Sequence, residues 1–86
     1  MKSNQTMKIL WMIEKLTITK KIEDCREYVS MAERSASYGA FNDSSLYWTK
    51  AATLAFDLLD NYSHSSFLDD EYTFLKDISK HFTEED

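Results

Sequence analysis

The chain has 86 residues, 43% of them apolar, with one glycine, one cysteine, no proline and a formal net charge of −5. That apolar content excludes a disordered chain, the lone Cys25 excludes a disulfide scaffold, and the shortage of turn formers argues against a sheet fold. The length predicts a single domain, residues 1–86, of modest stability unless self-association adds to it.

The apolar run Ile9–Ile13 is cut off by Glu14 and Lys15 and has no small-residue cleavage site after it, so it does not read as a signal peptide. Met7 offers an alternative start. A cytoplasmic location is expected, with no membrane span. Charge is unevenly spread: residues 1–42 carry seven basic and five acidic side chains, residues 43–86 three basic and ten acidic. The second half therefore attracts basic surfaces and repels nucleic acid.

The pattern predicts an all-α fold, a compact antiparallel bundle of about four short helices at approximately 5–16, 20–38, 44–62 and 67–82. In the first, Ile9, Met12, Ile13 and Leu16 follow the spacing of one buried face, and Trp11 to the side reads as a second core contact, the favoured reading, or as an exposed anchor. Thr17-Ile18-Thr19 is a β-branched interruption, with Thr19 as N-cap of the second helix. That helix carries an inner stripe of Ile22, Cys25, Val29, Ala32 and Ala36, widened by Tyr28 and Met31. Cys25 lies on this stripe as a small core residue, not as a nucleophile. Gly39 supplies the left-handed stop, and Asn42, Asp43 or Ser44 is placed to cap the third helix.

The third helix is the expected centre of the fold. Between Leu46 and Leu59 only Thr49, Lys50, Thr53 and Asp57 are polar, and they share one strip. Ala51, Ala52 and Ala55 share another face that admits a close neighbour. Ser66 and Asp69 form a start signal for the fourth helix. Its inner face is Leu68, Tyr72, Leu75, Ile78 and Phe82, and Thr83–Asp86 reads as a frayed acidic tail. Twelve aromatic residues are more than four short helices hide easily. Phe67, Phe74, Tyr47 and Trp11 flank the stripes, and exposed aromatic surface marks an interface.

Catalytic motifs are missing from the sequence: it has no phosphate-binding glycine loop, paired cysteines, zinc-protease motif or nucleophile elbow. Neither an enzyme nor a cofactor is expected. His64 with Asp60 makes at most half a metal site, so none is assigned. A helix-turn-helix across Gly39 would present only Lys50 to DNA, so direct nucleic-acid binding is not expected.

The acidic residues remain. Asp57 and Asp60 lie one turn apart on the third helix, and Asp69, Asp70, Glu71, Phe74 and Asp77 lie along the fourth. Together they are the candidate partner-binding surface, with the aromatic as anchor. In size, acidity and lack of catalytic motifs the chain is similar in kind to small stoichiometric inhibitors, such as toxin-immunity proteins and phage-encoded inhibitors. The leading expectation is a binding protein that blocks a partner protein with a basic surface, nucleic-acid-handling proteins being one class of such partners. A structural or regulatory helical homo-oligomer, such as a homodimer, is the alternative, and a small-molecule-binding bundle the third.

Overall fold

The structure is a computed structural model that describes residues 2–83, with side chains described for residues 8–81. It is all-helical, with no strand among the described residues. The described residues form three α-helices, α1 (Lys2–Ser37), α2 (Phe41–Asn61) and α3 (Asp69–Thr83), with a 3-10 turn, His64–Ser66, before the last. The molecule is elongated, 57 × 24 × 17 Å.

The expected first and second helices are one. Thr17, Ile18 and Thr19 do not interrupt α1, for two reasons. A β-branched residue costs a helix at most about 0.7 kcal/mol, whereas proline costs about 3 kcal/mol. Here the Thr17 hydroxyl donates to the Ile13 carbonyl at 2.9 Å, and Ile18 is buried in the core. Burying such a side chain returns about 1.5–3 kcal/mol, more than the propensity lost. Thr19 is therefore a mid-helix residue and caps nothing.

Gly39 ends α1 as its sequence position implied. Its φ is +80°, Gly39 N–H donates to Ala36 O at 3.0 Å, and Ala40 N–H donates to Ser35 O at 2.9 Å. This pair of bonds is a Schellman closure, which satisfies two orphan carbonyls and needs a left-handed residue at the glycine. No atom would meet a Cβ there. Gly39→Ala is thus expected to cost only the backbone strain, about 1 kcal/mol, in an equilibrium urea titration.

The closure is so tight that α2 starts at Phe41, with Ala40 as N-cap and no side-chain cap bond. Asn42, Asp43 and Ser44, expected as caps, all lie inside the helix. Ser44 is buried and its hydroxyl donates to Ala32 O at 2.8 Å, which ties α2 to α1.

The second helix is central, packing against both α1 and α3, which themselves meet little. Ala51, Ala52 and Ala55 are buried as a set, and the Cys25 thiol lies 3.3 Å from Ala51 O. The core is Ile18, Ile22 and Cys25 of α1, those alanines with Leu58, then Phe67 and, from α3, Leu75 and Ile78. Burial pushes the Cys25 thiol up to about 11, as suits an inert core residue.

The third helix starts at Asp69, two residues later than the sequence implied. Leu68 N–H donates to Glu71 Oε1 at 2.8 Å, one half of a capping box. Ser66 closes the preceding 3-10 turn, with its N–H on Ser63 O. Leu68, expected on the inner face, sits at the cap and is exposed, whereas Phe67, expected beside the stripe, is buried. The side chain of Phe82 and residues 84–86, the expected acidic tail, lie outside the described residues.

Candidate protein-interaction surfaces

Two surfaces stand out, and the sequence pointed clearly to only one of them. The first is acidic and lies on α3. At 100° per residue Asp69, Asp70, Thr73, Phe74 and Asp77 share one side of the helix, and together they line a shallow groove of about 500 Å³. Next to it is a cleft of about 220 Å³ lined by Val29, Trp48, Phe74, Asp77, Ile78 and His81, where all three helices converge. Phe74 and Asp77 belong to both. Arg26 of α1 holds its guanidinium 4.4 Å from the Phe74 ring centroid, a cation–π contact made within the chain.

The other expected members of the acidic surface are placed differently. Asp57 is engaged: Lys21 Nζ reaches its Oδ2 at 2.9 Å, and Asn61 Nδ2 donates to its Oδ1 at 2.9 Å. The hydrogen bond to Asp57 raises the Lys21 pKa above the usual lysine value. Both side chains are partly exposed, so the pair contributes at most about 1 kcal/mol. Asp60 is exposed but lines neither cavity. Glu71 serves the α3 cap. The His64 ring stacks on Tyr72 with centroids 3.6 Å apart.

The second surface is the amino-terminal arm of α1. Ile9, Trp11, Met12, Ile13 and Leu16, expected in the core, and Leu10 beside them are all 53–69% exposed. Lys15 Nζ donates to Ser66 O at 2.9 Å and marks the level at which α1 leaves the bundle. Residues 2–14 then project about 20 Å beyond it, at 1.5 Å per residue. Trp11 is exposed, with Lys15 5.8 Å from its ring.

The reason is the phase of the helix. On one continuous helix the core-facing residues Ile18, Ile22, Cys25 and Val29 lie about half a turn around the axis from Ile9, Met12, Ile13 and Leu16. The arm's apolar stripe therefore points away from the side on which α2 packs. Projecting both stripes onto a single helix would have revealed this from sequence.

No helix among the described residues is long and apolar enough to cross a membrane. Comparison of the chain with protein-family models, curated proteins and solved structures finds no match.

Proposed function

We propose that this protein is a binding protein that occupies a basic surface on a partner protein and blocks it, in the manner of a stoichiometric inhibitor. The observation that supports this reading is the shared wall formed by Phe74 and Asp77. It joins a groove bordered by three carboxylates to an apolar cleft. At about 220 Å³ the cleft is smaller than the roughly 300–1,000 Å³ of a typical small-molecule site, and suits one apolar side chain of a protein partner. Lysine or arginine neighbours of that side chain would lie along Asp69, Asp70 and Asp77. The contact between Arg26 and Phe74 is a template for how a partner arginine engages this wall.

The test starts from a partner captured from the native host, with rates measured by surface plasmon resonance. Reversing Asp69, Asp70 and Asp77 to lysine is expected to slow association about tenfold or more, and rising salt is expected to do the same to the native chain. Phe74→Ala is expected to act mainly on dissociation. Association indifferent both to salt and to the three reversals would reduce the acidic face to a solubility device.

A further inference from the structure

We propose that the arm of α1 is a self-association element that pairs antiparallel with the same arm of a second copy. This goes beyond the acidic groove and rests on different residues. A projecting helical arm whose described apolar side chains are more than half exposed is marginal in water, because helix stability comes mainly from packing of an apolar face. This arm also exposes five consecutive apolar residues, Ile9–Ile13, followed by Leu16. Its own bundle cannot cover the stripe, since the core-facing side of the same rigid helix points the other way.

Charge selects the occupant and the orientation. The outward face of α1 is apolar at Ile9, Met12, Ile13 and Leu16, then continues one, two and three turns on as Lys20, Glu23 and Glu27, all exposed. Parallel pairing would set Glu23 against Glu23 and Glu27 against Glu27. Antiparallel pairing about the midpoint of the stripe sets Ile9 against Leu16 and Met12 against Ile13. It also brings the positive amino-terminal end of each α1, which begins at Lys2, beside Glu23 of the other copy. Lys15 would share a flank with Lys8 of the second copy, but it is turned onto Ser66 of its own chain.

The same complementarity holds for whole segments. Residues 1–17 carry three lysines and one glutamate, and residues 18–86 carry seven basic and fourteen acidic residues. An arm laid along the body of a second copy is attractive. A basic amphipathic arm also suits an anionic membrane surface, but the strongly acidic body would be repelled there, so the second copy is favoured.

Sedimentation equilibrium of the full chain is expected to give twice the chain mass. In Ile9→Glu/Ile13→Glu the mass is expected to halve with the bundle's unfolding transition retained, because both positions are exposed. Orientation is read by oxidative cross-linking: Ile9→Cys mixed with Leu16→Cys is expected to form the crossed disulfide, and neither variant to cross-link with itself. Cys25 is buried and does not compete. A native chain that stays monomeric at every concentration overturns the proposal. So does a dimer that survives the double glutamate variant, and self-cross-linking of each single variant overturns the antiparallel arrangement. A monomer that co-sediments with phosphatidylserine vesicles, and loses this in the double variant, reassigns the arm to membranes.

Discussion

Leu58→Ala is expected to destabilise the protein by about 2–5 kcal/mol, the range for truncating a fully buried leucine. Leu58 has no exposed surface and sits on the central helix between α1 and α3. A chain of this length has a total stability of roughly 4–13 kcal/mol, so this single change removes a large part of it. Leu54 lies one turn earlier and is only partly buried. The same truncation there should cost clearly less, because part of the vacated space is already open to water. Urea unfolding followed by helical circular dichroism checks both variants. Equal and small losses, below about 1 kcal/mol, would mean that α2 is not the enclosed centre of the fold.

The second large effect is the reverse change, from small to large. Ala55 has no exposed surface and neighbours Ala51 and Ala52 on the face that meets α1. The 3.3 Å separation of the Cys25 thiol from Ala51 O shows how near the α1 side chains come to the α2 backbone there. Ala55→Leu adds three carbon atoms at a position with no exposed surface. Overpacking of this kind costs about 1–3 kcal/mol, although leucine has good helix propensity and is more hydrophobic than alanine. Thr53→Leu on the exposed strip of the same helix is the control and should change stability by no more than about 0.5 kcal/mol. If Ala55→Leu were neutral or stabilising, the alanine face would not be a close helix contact.

These two residues also show what was legible in the sequence. The alanine face, the polar strip of Thr49, Lys50 and Thr53, the stop at Gly39 and the burial of Cys25 each follow from local spacing within one helix. All stand as read. What failed was the relation between helices one and two. Each apolar stripe has helical period, but read as a break the Thr-Ile-Thr segment frees the first stripe to turn inward, which the continuous α1 does not allow. A continuous helix fixes the phase between the stripes, and only one of them can then face α2.

The acidic surface was legible to the same depth. Asp69, Asp70, Phe74 and Asp77 are close in sequence, and helical spacing alone puts them on one side. The engagement of Asp57 was not legible, because its partner Lys21 is 36 positions away and on another element. The cleft beside Phe74 was hidden for the same reason, since its walls come from Val29, Trp48 and Ile78 on three helices.

The sparse contact between α1 and α3 has a consequence for how the molecule assembles and opens. The tight hairpin of α1 and α2 can form first, its pairing begun near Gly39 by Ser44 and Ala32, which are only 12 positions apart. Such short-range closure carries a low entropic cost and favours rapid formation. The third helix then docks on the completed hairpin through α2. Because its contact with α1 is confined to a few side chains, such as Phe74 under Arg26, α3 is expected to be the first unit to detach in a local opening, short of global unfolding. The acidic groove moves with α3 as a piece, while the cleft beside Phe74 exists only when α3 is docked. A side chain that occupied that cleft would therefore hold the three helices together as well as joining two proteins.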